Sequence, residues 1–120
     1  MKVVVTSTGE GVDSQVDPRF GRASTFVMVD TESGETESID NSGGARAAQG
    51  AGIQAAETVS RLGAERLVTG HCGPKAFRAL QAAGIEVYIG ASGTVAEAIG
   101  QLKSGELQLS TGPDVGGHWG

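Results

Sequence analysis

Cationic side chains stand in or beside glycine-rich breaks. Arg19 and Arg22 lie in Asp17-Pro18-Arg19-Phe20-Gly21-Arg22, Arg46 follows Ser42-Gly43-Gly44-Ala45, and Lys75 follows Gly70-His71-Cys72-Gly73-Pro74. Glycines let backbone N–H groups approach a ligand with no Cβ in the way, and N–H groups at helix starts favour negative charge. The combination points to a cradle for a compact anion. Arg19, Arg22, Arg46 and Lys75 would supply charge, and Gly43, Gly44 and Gly73 backbone donors. His71 and Cys72 would be wall or ligand. Taken singly, each glycine reads more readily as a tight turn and each cation as a solvated or salt-bridged surface group. The joint placement is what favours a site.

Other chemistries find less support. A closed zinc site needs four Cys or His ligands, and the chain has one cysteine and two histidines. Cys72 precedes an expected helix start, where a thiol pKa is lowered, so it stays open as a thiolate or as a small buried apolar side chain. Gly9-Glu10-Gly11 lacks the third glycine and the following helix of a dinucleotide fingerprint, and no phosphate-loop motif occurs. Asp13, Asp17, Asp30 and Asp40 would have to converge to hold two metal ions for hydrolysis, and acidic residues at turns more often cap or face water. Neither histidine sits beside a nucleophile elbow.

The elements that must position the cradle follow from the apolar pattern. Val3-Val4-Val5 and Thr25-Phe26-Val27-Met28-Val29 read as buried strands, with an irregular loop between them. Glu35-Thr36-Glu37-Ser38-Ile39 reads as a charged edge partner in a hairpin. After Gly43-Gly44, Ala48, Ala51, Ala55, Val59 and Leu62 recur at helical spacing up to Gly63. Gly50 and Gly52 imply that the sheet or a ligand comes close to the first turns. Arg66–Thr69 is the next strand. Pro74 opens a helix with Ala76, Phe77, Leu80 and Ala83 on its buried stripe, and Ile85–Ile89 is a strand. Thr94 with Glu97 forms a capping box ahead of Val95, Ala98, Ile99 and Leu102. The order predicts an α/β fold with a mixed five-stranded sheet and helices on both faces. Residues 1–107 form the domain and 108–120 a Gly-rich tail.

At 120 residues the chain holds one core, and a formal charge of −5 argues against a general nucleic-acid surface while leaving room for a local positive pocket. No apolar run is long enough to span a membrane, and the single cysteine excludes an internal disulfide, so a cytoplasmic protein is expected.

Asp17-x-Arg19-Phe20-Gly21-Arg22-Ala23 with the Phe26 strand, Gly50-Ala51-Gly52, Gly70-x-x-Gly73-Pro74-x-Ala76-Phe77-x-x-Leu80, Ala83-Gly84-Ile85-x-Val87-Tyr88 and Thr94-Val95-x-Glu97-Ala98-Ile99 together resemble the dinitrogenase iron–molybdenum cofactor biosynthesis family. The resemblance runs from Lys2 to Leu107. It implies a ribonuclease H-like three-layer fold without nuclease chemistry, and a protein that carries or inserts molybdenum-containing sulfide clusters. The length, the lone Cys72 and the tail ending in His118-Trp119 look more like the orange-protein branch, which holds a molybdenum–copper sulfide cluster. The expectation is non-catalytic binding of a Mo-Cu-S or Mo-Fe-S cluster that brings its own sulfide and is held non-covalently. A cluster-donor or acceptor protein would be the partner, with neither nucleic acid nor membrane. Family members that place additional Cys, His or Met near the cluster differ from this chain, which offers few. The alternatives are a protein-interaction module without cofactor and a metal-dependent hydrolase on the same scaffold.

Overall fold

In a computed structural model, which describes residues 1–45 and 50–110, the apolar runs become the inner strands of one sheet. The elements are β1 Lys2–Ser7, β2 Thr25–Asp30, β3 Thr36–Asp40, α1 Ser42–Ala45, α2 Ala51–Arg61, β4 Arg66–Val68, α3 Pro74–Ala82, β5 Glu86–Ile89, α4 Val95–Ser104 and β6 Gln108–Leu109. The strand order is β3-β2-β1-β4-β5-β6. β1, β4 and β5 run parallel, while β2 is antiparallel to both β1 and β3.

Side chains alternate across a strand, so the continuous apolar runs serve two cores. Val4, Phe26, Leu67 and Val87 meet Ala55, Ala56 and Val59 of α2 and Ala76, Phe77 and Leu80 of α3. Val3, Val5, Val27, Val29 and Val68 meet Val95, Ala98 and Ile99 of α4 on the opposite face. The α/β class, the mixed sheet and the helices on both faces are as the pattern predicts. β3, exposed at four of its five positions, is the charged edge.

The sheet has six strands rather than five. β6 pairs antiparallel with β5 through Tyr88↔Leu109 and Ile89↔Gln108, and Ser110 N–H donates to the Val87 carbonyl at 2.8 Å. A two-residue strand carries no periodicity, which is why residues 108 and 109 read as tail.

The long helix also starts later than its spacing suggests. Gly50 is its N-cap in the left-handed region (φ 76°), which ends any helix arriving from before it, and Ser42–Ala45 is a separate short turn. Ala48 lies outside the described residues. Ala83, expected on the buried stripe of α3, is its exposed C-cap, where the chain turns through Gly84 (φ 77°).

The strand directions bring several loops to one side. β1, β3, β4 and β5 all end at the same sheet edge, because Ser7 pairs with Thr25 and Thr25 with Asp40. The segments 8–24, 41–45, 69–73 and 90–94 therefore leave from the carboxyl edge, where open α/β sheets bind ligands.

Candidate functional site

At that edge a cavity of about 350 Å3 is lined by Phe20, Gly21, Arg22, Ala51, Gly52, Gly73, Pro74, Lys75 and Ala76. Three segments build it: the β1–β2 loop and the starts of α2 and α3. Their backbones are in close contact. A Cβ on Gly21 would stand 2.8 Å from Gly52 N, and one on Gly52 would stand 3.1 Å from the Ala76 Cβ. The close approach anticipated at Gly52 is thus to the β1–β2 loop and to α3, not to the sheet. Phe20 is fixed beneath the wall by stacking on Phe26, with centroids 6.0 Å apart.

Two helices start here without side-chain caps. Gly50 at α2 and Gly73 at α3 make no capping hydrogen bond, and Pro74 occupies the first turn of α3. Unsatisfied N–H groups in such first turns, together with the helix dipole, favour an anion. Gly73 has an ordinary extended backbone (φ −74°, ψ 169°), and a Cβ there would meet nothing within 4 Å. Neither conformation nor packing requires this glycine, so its bareness keeps the cavity wall open. A second hollow of about 350 Å3, between α3 and β5–β6, has Glu86 as the only charged group among its lining residues and so offers an anion nothing.

The proposed cradle residues separate into groups. Arg22, Gly73 and Lys75 share the cavity, and both cations are exposed at it. Gly43 and Gly44, on α1, occupy the same sheet edge but are not among the cavity walls. A Cβ on Gly44 would reach 2.7 Å from Asn41 Oδ1. Arg46 lies outside the described residues. Arg19 pairs through Nε with Asp17 Oδ1 and through Nη2 with Oδ2, each at 3.2 Å. Hydrogen bonding to Asp17, and attraction by its charge, hold the Arg19 pKa above the ordinary guanidinium value.

His71 donates its backbone N–H to the Pro18 carbonyl at 2.9 Å and bridges Arg19, which ties the β1–β2 loop to the end of β4. Cys72 is buried in the core shared with Phe77 and Leu80, its Sγ 3.7 Å from the Gly73 carbonyl. It stands behind the cavity wall. Sequence reading missed the apolar and small walls Phe20, Gly21, Ala51, Pro74 and Ala76, although the Gly50–Gly52 cluster and Pro74 marked two of the segments.

Among the described residues, no group of three or more His, Cys, Asp or Glu side chains is placed to hold a metal ion. Asp17 and Asp30 stand at opposite ends of β1: Asp17 N–H bonds the Thr6 carbonyl, while Asp30 pairs with Lys2. These carboxylates cannot form one hydrolytic centre. Nor is any described helix long and apolar enough to cross a membrane.

Residues 1–105 match the sequence profile of the dinitrogenase iron-molybdenum cofactor family. The chain belongs to that family. It is similar to the apo form of the orange protein (ORP) from Desulfovibrio gigas, with 45% identity and a TM-score of 0.91 over 94% of this chain and 95% of that one. A NifB-like protein of Thermotoga, assigned to the DUF35 family, superimposes with 36% identity and a TM-score of 0.84 over 97% and 98% of the two chains. An uncharacterized protein of Methanocaldococcus jannaschii is 28% identical over 80% of this chain and 83% of its own length.

Proposed function

We propose that this chain carries or assembles an anionic molybdenum-containing sulfide cluster, held non-covalently and without turnover. The observation that carries the reading is the cavity where Arg22 and Lys75 meet the uncapped starts of α2 and α3. Family membership gives the cargo its class, with copper or iron as the heterometal. The strand order β3-β2-β1-β4-β5, with helices on both faces of the sheet, suits a ribonuclease H-like scaffold.

Each component has a physical role. Charge-assisted contacts from Arg22, Lys75 and backbone N–H groups to a multiply charged anion contribute about 1.5–3 kcal/mol each where water is excluded. Phe20, Ala51, Pro74 and Ala76 offer carbon surface to weakly hydrated sulfide faces. The bound cluster would supply its own metal–sulfide bonds, so Cys72 and His71 need not ligate. A cytoplasmic donor or acceptor protein would deliver or receive the cargo at the same open edge.

Reconstitution of the apoprotein with tetrathiomolybdate plus copper(I) or iron(II), followed by desalting, metal analysis and visible spectroscopy, tests this. Wild type should retain molybdenum with a heterometal and show charge-transfer bands, and Cys72→Ser should retain as much within about twofold. A wild type that keeps no molybdenum is instead an interaction module. A folded but colourless, metal-free Cys72→Ser would make the thiolate a ligand and end the non-covalent reading.

A further inference from the structure

Asp17 is the one charged residue buried among the described residues, and the binding chemistry above makes no use of it. Its side chain is 5% exposed, while that of its partner Arg19 is 63% exposed. Both carboxylate oxygens are occupied. Oδ1 accepts from the Arg19 backbone N–H at 2.9 Å and from Nε at 3.2 Å, and Oδ2 accepts from Nη2 at 3.2 Å. This is the side-on, two-point pairing that fixes a guanidinium in direction as well as distance.

The backbone around the pair is bolted to two strands. Asp17 N–H donates to the Thr6 carbonyl at 3.0 Å, and the Asp17 carbonyl accepts from Thr6 Oγ1 at 2.6 Å. The same hydroxyl lies 2.9 Å from Thr69 Oγ1. Pro18 packs where a Cβ on Gly70 would stand 2.6 Å from its Cα, and its carbonyl accepts from His71 N–H. The next three residues, Phe20, Gly21 and Arg22, are walls of the cavity, whereas Arg19 is not.

We propose that Asp17 and Arg19 form a latch that positions the Phe20–Arg22 wall, and that Arg19 is a positioning residue rather than a contact to the anion. The proposal rests on the cavity being the anion site. The ion pair adds no net charge to that site; its contribution is to hold the turn from which Arg22 projects. Without the carboxylate, the turn loses the three contacts that tie Arg19 back to Asp17, and only the backbone bonds of Asp17 and Pro18 still anchor the chain leading into the wall.

The two possible roles of Arg19 predict opposite signs for one substitution. If Arg19 contacted the anion, Asp17→Asn would leave its charge uncompensated and tighten binding. If the pair is a latch, Asp17→Asn loosens the wall and weakens binding. Equilibrium dialysis of tetrathiomolybdate alone should show Asp17→Asn, Arg19→Ala and Arg19→Lys each weakened by about three- to tenfold, with Asp17→Asn/Arg19→Ala no worse than either single variant. Arg19→Lys keeps the charge and loses the fork on an exposed side chain, so it decides the matter even if Asp17→Asn fails to fold. Binding by Asp17→Asn as tight as wild type or tighter, or full retention by Arg19→Lys beside a loss in Arg19→Ala, overturns the latch alone. A wild type that binds no tetrathiomolybdate overturns the anion site and the latch together.

Discussion

The starts of α3 and α4 stand at the same edge of the sheet and are finished in opposite ways. At α4 every local device is present. Thr94 Oγ1 accepts from Glu97 N–H at 3.1 Å, Glu97 Oε1 accepts from Thr94 N–H at 2.8 Å, and the N–H groups of Val95 and Ala96 each donate at 2.9 Å to the carbonyls of Ser14 and Val12. At α3 the N-cap is a glycine with no side chain to fold back, and α2 beside it also starts on an uncapped glycine. A capping side chain in place of glycine is worth about a few tenths of a kcal/mol, so leaving two helices bare is a small local cost to stability. The cations follow the same division, with Arg22 and Lys75 at the bare ends. Capping is complete at the start of α4 and absent at the two helix starts that line the cavity.

The largest effect expected from this contrast comes from the charges. Arg22→Ala or Lys75→Ala should each weaken tetrathiomolybdate uptake by about tenfold, and the two together by about a hundredfold. Arg61→Ala, in the last turn of α2 and away from the cavity, should leave uptake unchanged in the same dialysis series. Equal binding by all four proteins would dissolve the distinction between the ends.

A smaller effect follows from giving α3 the cap it lacks. Gly73→Ser places a Cβ in open space and a hydroxyl over the first-turn N–H groups. Calorimetry should show Tm raised by about 2–4 °C, from the cap and from reduced freedom of the unfolded chain. Uptake should fall by about three- to tenfold as those donors are taken. Stability and binding moving together would break the comparison.

Thr94→Ala supplies the converse and the smallest effect on binding. Losing the Thr94 side of the capping box should lower stability by about 1 kcal/mol and Tm by about 3–6 °C. Tetrathiomolybdate uptake should match wild type at temperatures where both are folded.

The contrast between the two helix starts also marks what could be read in advance. Thr94 and Glu97 announce α4 because a capping box is local, and Pro74 announces α3 for the same reason. The buried runs of β1 and β2 and the charged β3 edge follow from composition over a few residues. What stayed hidden depends on distant chain. β6 exists only because β5 offers Gln108 and Leu109 an antiparallel partner in Tyr88 and Ile89. Gly52 is explained by Gly21 and Ala76, which no spacing connects to it.

The cavity was legible as cationic glycine-rich loops, but the choice among the cations was not. Arg22 and Lys75 face it, while Arg19 is drawn to Asp17. An aspartate before Pro18, two residues ahead of Arg19, is a turn signal of the Asx type and could have suggested that pairing. Cys72 stood open between a thiolate and a small buried apolar side chain, and the packing of α3 against the sheet carries it into the core.

The most direct test of the account follows backbone amides by 1H–15N NMR while tetrathiomolybdate is titrated into the apoprotein. The account predicts saturable shifts concentrated at Ala51, Gly52, Gly73, Lys75 and Ala76, with Val95 and Ala96 at the capped start of α4 unmoved. Saturable shifts centred on Val95 and Ala96, or a titration that leaves the α2 and α3 amides unchanged, would contradict it.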